Sequence, residues 1–282
     1  MAGLVPAIHV LCKTSLKTWM PATSAGMTPR DIMPAFKNND IEIAYLDEGE
    51  GDPIVLIHGF ASTKEVNWVA PTWVSTLTRA GRRVIALDNR GHGQSSKLYD
   101  PADYHTARMA EDARALLDHL DIARADVMGY SMGARITAFL ALANPERVRS
   151  AVLGGLGIKL VNGVGLPEDI AVALEAPSLA DVTDTMGRMF RAFADQTKSD
   201  RRALAACIRG SRQVLSEQQV AQIRVPMLIG VGTNDPIAGS PHDLAKLIPA
   251  AKALDIPGRD HMLAVGDKVF KAGVLEFLGE RP

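Results

Sequence analysis

The stretch DVMGYSMGAR, residues 126–135, runs an apolar segment into a corner and starts a helical pattern directly after it. The corner reads Gly129-Tyr130-Ser131-Met132-Gly133, a G-x-S-x-G pattern with a strand before it and a helix after it. A serine on so tight a turn presses its neighbours against the adjacent strand and helix, where only small residues fit. The turn leaves the hydroxyl standing at a helix N-terminus, among free N–H groups and a dipole that favours developing negative charge. Ser131 is therefore the candidate nucleophile.

A serine hydroxyl is a weak nucleophile near neutral pH and needs a base, which in turn needs an orienting acid. The chain offers seven histidines, at 9, 58, 92, 105, 119, 242 and 261. His9 falls in the opening segment. His119 follows Asp118 on a long helical pattern, and His105 and His242 stand at helix starts, where capping or solvation accounts for them. His58 and His92 lie in Gly-flanked loops ahead of the serine, and a loop-bracing role suffices for His58. His261, in PGRDHM, lies between the last strand pattern and the last helix, at the same sheet edge as Ser131, and is the candidate base. The candidate acid is Asp235, in TNDP, at the end of the strand pattern VPMLIGVG. The alternative position, after VRSAVLGGLG, offers no acid before Glu168, and Asp260 is the immediate neighbour of His261, so the two side chains are not expected to face each other. Attack on an ester carbonyl also needs donors for the oxyanion. The N–H of Met132, next after the serine, is one; the N–H of Phe60, in the loop after IVLIHG, is expected to be the other.

Around this corner the chain alternates strand and helix. IEIAYLDEG (41–49) has period two. PIVLIHG (53–59), RVIALD (83–88), ADVMGY, VRSAVLGGLG (148–157), VPMLIGVGTND (225–235) and AKALDIP are apolar runs suited to strands. NWVAPTWVSTLTRAG (67–81), YHTARMAEDARALLDHLDI (104–122), MGARITAFLALANPERV, HDLAKLIP and DKVFKAGVLEFLG carry helical spacing. The order predicts an α/β fold, a mostly parallel sheet with helices on both faces. The alternation stops between 156 and 222, a Met-containing helical stretch expected to insert as a small cap over the carboxyl edge. The core is thus expected in 34–155 and 223–282. Residues 1–33 form a separate opening: the first 30 hold no Asp or Glu but three Pro. They are expected to be a leader outside the fold, resembling the repeat-derived openings of some bacterial reading frames, with the natural start near Met33.

HGF after a strand, then DNRGHGQS (88–95), GYSMGA and GTNDP…GRDHM, in that order, resemble the α/β-hydrolase fold superfamily, over residues 40–280. The order Ser…Asp…His is the one that superfamily uses. The resemblance implies an eight-stranded sheet with one early antiparallel strand, a pocket under the cap, and no cofactor. Haloalkane dehalogenases and epoxide hydrolases of this fold place Asp at the corner, where this chain has Ser131, and epoxide hydrolases need cap tyrosines, which this cap lacks. Acyl transfer to water leads: a serine carboxylesterase acting on small to medium, mostly apolar esters. Carbon–carbon bond hydrolysis and perhydrolysis are the alternatives with the same residues, and a non-catalytic small-ligand receptor is the alternative of another class.

In VTDTMGRMFRAFA (182–194), Met186, Met189, Phe190 and Phe193 share one helical stripe, which either packs on the body or lines an apolar acyl pocket; Trp68 and Trp73 are candidates for the same space. A net charge of −1 gives no electrostatic case for nucleic acid. No apolar run is long enough to span a bilayer, so no membrane partner is expected. GLGIKLVNGVG lacks dinucleotide spacing, no His, Cys or carboxylate set has metal spacing, and two cysteines make no disulfide framework. The expected location is the cytoplasm and the expected partner a small ester.

Overall fold

A computed structural model describes residues 34–163 and 168–281. The expected leader, 1–33, lies outside the described residues, as do 164–167 within the expected cap. The strands are β1 (Ala35–Asn38), β2 (Ile41–Glu48), β3 (Asp52–Ile57), β4 (Arg82–Leu87), β5 (Ala125–Tyr130), β6 (Val148–Gly154), β7 (Met227–Gly232) and β8 (Ala251–Ile256). They form one sheet in the order β1-β2-β4-β3-β5-β6-β7-β8. β2 is antiparallel to both its neighbours, and every pair from β4 to β8 is parallel. The expected eight-stranded sheet with one antiparallel strand is therefore present.

The apolar runs are buried on both sides, as a sheet covered on two faces requires. Val55 and Ile57, Ile85 and Leu87, and Val127 point into one core. Their alternates Ile54 and Leu56, Val84 and Ala86, and Met128 point into the other. The first core takes α2 (Thr106–His119) and α3 (Met132–Ala143), and the second takes α1 (Trp73–Arg79) and, through Phe270, Val274 and Phe277, the C-terminal helix Lys268–Glu280. Asp126, buried in β5, is held by Arg82 and Ser150, at 3.0 and 2.7 Å, and by Arg281, which ties the chain's end to the sheet.

Two readings needed correction. The single helix expected over 67–81 is broken into a π-helical turn, Glu65–Val69, and α1. Pro71 supplies no N–H to the ladder, and Thr72 stands in the left-handed region at φ 66°. β1 was not anticipated because its four residues bury only Phe36. Phe36 stacks on His119 with ring centroids 5.2 Å apart, which gives that exposed histidine a packing role.

Between β6 and β7 the chain is helical, with α4 (Glu168–Glu175), α5 (Thr185–Gln196) and α6 (Arg201–Gly210) followed by a short turn of helix at Glu217–Val220. Ile170, Leu174, Ala194, Leu204 and Ile208 join the first core. The last core helices are α7 (Pro241–Leu247) and α8 (Lys268–Glu280).

Candidate active site

Ser131 sits between β5 and α3 at φ 55° and ψ −111°, a conformation that costs a non-glycine residue on the order of 1–3 kcal/mol. The turn is locked from both sides. The Ser131 N–H donates to the Gly154 carbonyl at 2.7 Å. A Cβ at Gly129 would lie 2.1 Å from the Gly133 carbonyl oxygen, and one at Gly133 would lie 1.9 Å from that of Ile57. Neither glycine can be replaced without moving backbone, which is the physical content of the G-x-S-x-G pattern.

His261 and Asp235 converge on this serine from two other strand ends. His261 Nε2 lies 2.9 Å from Ser131 Oγ, and its Nδ1 lies 2.7 Å from Asp235 Oδ2. An ionised carboxylate only accepts, so Nδ1 carries the hydrogen and Nε2 is left to accept from the serine hydroxyl. The Asp235 side chain is fully buried. Its other oxygen accepts the N–H groups of Ile237 and Ala238, at 2.8 and 3.0 Å, so the carboxylate is aimed by its own turn. Asp260 is occupied elsewhere: its Oδ1 accepts from the N–H groups of Met262 and Leu263.

Among the described residues, neither the Phe60 N–H nor the Met132 N–H has an acceptor within the chain, so both amides are free for a ligand at the elbow. The loop that carries Phe60 is braced by His58, as the sequence led us to expect, together with Asp88, and by Asn67 and Lys64, which the sequence did not single out. Asn67 Oδ1 accepts the Gly59 N–H at 3.1 Å. His58 Nδ1 donates to the Gly59 carbonyl at 2.7 Å, and its Nε2 accepts the Asn89 N–H at 3.0 Å. Lys64 is fully buried and its ammonium bonds Asp88 at 2.7 Å. Asp88 also accepts from the N–H groups of Lys64 and Gln94, each at 2.9 Å.

The side chains of Phe60 and Met132 both carry the helices between β6 and β7. Phe60 packs edge-on against Phe190 of α5 with centroids 5.5 Å apart. Met132 Sδ meets Cys207 Sγ of α6 at 3.7 Å. The stripe residues Met186, Phe190 and Phe193 are half-buried against the first core, and Met189 is half-buried outside that cluster. The inner edge of α5 is instead Gly187, Arg191 and Ala194. Gly187 lets α5 close on Ala173, and buried Arg191 donates to the Ala173 and Ala176 carbonyls at the end of α4. α5 thus meets α4 through residues other than the stripe, of which Phe190 stands against Phe60. Trp68, expected in the same space, lies in the second core: it is fully buried and edge-on to Trp73 at 6.4 Å, and Trp73 meets Phe270 at 5.4 Å. Trp73 thus reaches α8 through Phe270, and Trp68 packs behind it.

Burial sets the local electrostatics. Burial pushes the Cys207 thiol up to about 12, so it stays a thiol. His58 and His92, with rings 5.2 Å apart, are both fully buried, and burial lowers both pKa values, that of His92 to about 3. His92 Nε2 has no partner among the described residues. In the unfolded chain this imidazole takes a proton near its ordinary value of about 6.5, and the folded chain refuses it. The expected result is a stability that is flat above pH 6.5 and falls with acid between about 6.5 and 3. His92→Phe, followed by urea unfolding across that range, should show a shallower decline; an unchanged slope would mean that His92 takes its proton in the fold.

A family model described as the alpha/beta hydrolase fold matches residues 52–162, from β3 to the end of the turn that follows β6. With that match and this sheet, the chain belongs to the α/β-hydrolase superfamily. It is 31% identical over 235 residues to the dihydrolipoyllysine-residue acetyltransferase component of the acetoin cleaving system of Pseudomonas putida, a match covering 76% of this chain and 59% of that protein. It is 29% identical over 280 residues to the non-heme chloroperoxidase CPO-A1 of Kitasatospora aureofaciens, covering 88% of this chain and 100% of that one. Among solved structures, a hydrolase from Pseudomonas aeruginosa PA01 superposes with a TM-score of 0.72 at 26% identity, covering 88% of this chain and 98% of that one. Among the described residues no helix is long and apolar enough to cross a membrane, and no group of three His, Cys, Asp or Glu is placed to hold a metal ion.

Proposed function

We propose that the chain is a serine carboxylesterase that cleaves small to medium, mostly apolar esters through an acyl-enzyme. The observation that carries this reading is the unbroken line from Asp235 through His261 to Ser131, at 2.7 and 2.9 Å, ending beside two unpaired amides. Ser131 Oγ attacks the ester carbonyl carbon as its proton passes to His261 Nε2. The negative charge moves to the carbonyl oxygen, where the N–H groups of Phe60 and Met132 receive it. Collapse expels the alcohol, which takes the proton from His261. Water then adds to the acyl-enzyme with His261 as base, and the acid leaves. Asp235 holds the imidazole in the tautomer that both halves need.

The apolar substrate preference rests on Phe190 and the stripe around it. Phe190 stands on Phe60, whose own N–H is the proposed oxyanion donor, so an acyl chain bound there would run along Phe190, Met186 and Phe193. A series of p-nitrophenyl esters of increasing acyl length tests the function: the native protein should show a pre-steady-state burst and prefer short to medium chains. Phe190→Ala opens the pocket and should move the optimum to longer acyl groups, with a several-fold change in the kcat/KM ratio between long and short esters. No turnover of any ester, with no label from an active-site phosphonate at Ser131, would remove the esterase reading; an unmoved optimum would remove Phe190 from the pocket.

A further inference from the structure

We propose that Tyr130 is a positioning residue for His261, tying the histidine's own carbonyl to the strand end that carries Ser131. The inference rests on the reading of Ser131 and His261 as nucleophile and base.

Tyr130 is the last residue of β5 and the immediate neighbour of Ser131. Its hydroxyl donates to the His261 carbonyl at 2.6 Å. Its ring lies tilted against the imidazole, with centroids 5.6 Å apart, and against Phe270 at 6.4 Å. The place for this ring is cleared by two glycines at the end of β6. A Cβ at Gly154 would lie 2.7 Å from the Tyr130 ring, and one at Gly155 would lie 2.8 Å from it. Gly155 also stands at φ 62°, so a side chain there is excluded twice.

Toward a carbonyl the hydroxyl can only donate. Burial raises the phenol's pKa well above its ordinary value, and the nearby carboxylates of Asp235 and Asp260 raise it further. The His261 carbonyl is therefore held to β5 by a phenol that keeps its proton near neutral pH.

The consequence is geometric. Asp235 grips the imidazole at Nδ1 but comes from β7, and Asp260 folds the loop on itself through Met262 and Leu263. Neither sets the distance from His261 to the elbow. Tyr130 does, because the backbone of residue 130 continues directly into residue 131. Nucleophile and base are joined twice, above through Oγ and Nε2 at 2.9 Å and below through the phenol and the carbonyl. A base displaced by a fraction of an ångström transfers its proton less well while the acyl pocket is untouched, so the loss falls on kcat rather than KM.

Tyr130→Phe keeps the ring and removes only the hydroxyl. Tyr104→Phe is its control: that buried phenol also donates to a backbone carbonyl, Leu98 at 2.7 Å, away from Ser131. Tyr130→Phe is expected to lower kcat for nitrophenyl acetate by about 10-fold or more with KM within about twofold, whereas Tyr104→Phe keeps kcat and loses a similar amount of thermal stability. In the proton spectrum the downfield Nδ1–H resonance of His261 should broaden or exchange faster in Tyr130→Phe and stay native-like in Tyr104→Phe. This second measurement needs no substrate, so it judges the tether even if esters prove to be the wrong class. Native kcat and a native resonance in Tyr130→Phe, or equal losses in both variants, would overturn the proposal.

Discussion

Ser131→Ala should lower turnover of a nitrophenyl ester by at least about 10³-fold, and by as much as about 10⁶-fold if the proposed relay is fully engaged in the native protein. Ser131→Ala leaves His261 bound to Asp235 but gives it no hydroxyl to activate. What remains is water, positioned by nothing but the pocket, with the Phe60 and Met132 amides still able to polarise a carbonyl. Residues that act as a unit lose their effect together. His261→Ala should therefore cost about as much as Ser131→Ala, and the double variant little more than either. Multiplying losses would show that the two side chains act independently and would sink the relay. The fold supplies a second readout on the same residue. Ser131 is held at φ 55° by neighbouring glycines that cannot yield, and Ala bears the same strain where Gly bears little. Ser131→Gly should be as inactive as Ser131→Ala yet more heat-stable, by roughly 1–3 kcal/mol. Equal stability of the two would mean that the elbow relaxes once the hydroxyl is gone.

The elbow was legible because its requirement is local: two glycines, a serine and a change from strand to helix period within ten residues. His261 and Asp235 were legible because each follows a recognisable strand, and in a parallel sheet the ends of those strands meet at one edge. Asp260 could be set aside on sequence adjacency, and the structure adds the cause, since it caps the turn at Met262. The misreadings have a common origin. The helix over 67–81 looked continuous because its apolar spacing persists through Pro71, and the periodicity carried Trp68 to the wrong side of the sheet. Lys64, Asn67 and Tyr130 were not singled out because each matters through a partner distant in the chain or through a backbone atom: Asp88, the Gly59 N–H, the His261 carbonyl. The identities of Phe60 and Met132 looked arbitrary for main-chain donors. Their side chains meet Phe190 and Cys207, so the two residues proposed as amide donors also contact α5 and α6.

Lys64→Ala should destabilise the protein by about 3–5 kcal/mol, because it strands a buried carboxylate. Lys64 and Asp88 are both fully excluded from solvent, and the ammonium reaches Asp88 at 2.7 Å and Glu65 at 2.9 Å. Burial alone would push the Asp88 carboxyl up; the Lys64 ammonium, with the Gln94 N–H, outweighs it and holds the pKa below the ordinary value. A carboxyl whose folded pKa is depressed adds stability that is fully present above its unfolded value of about 3.9 and is lost as pH falls through the folded one. The gap between native protein and Lys64→Ala, measured by urea unfolding, should therefore be widest near neutrality and shrink in acid, because Asp88 without the ammonium takes up its proton at higher pH than Asp88 in the native protein. Lys64→Met with Asp88→Asn removes both charges together and should cost less than the sum of the single losses, the difference reporting their coupling. The pair also fixes the far end of the loop that begins at Phe60, since the Lys64 N–H is itself held by Asp88. Any loosening reaches the Phe60 amide before it reaches the proposed acyl pocket, so Lys64→Met assayed below its melting point should lose kcat by about 10-fold while KM changes little. A gap that stays constant from pH 7 to pH 3 would mean that the lysine contributes packing rather than charge. A variant with native kcat would mean that the loop holds its shape through Asn67 and His58 alone.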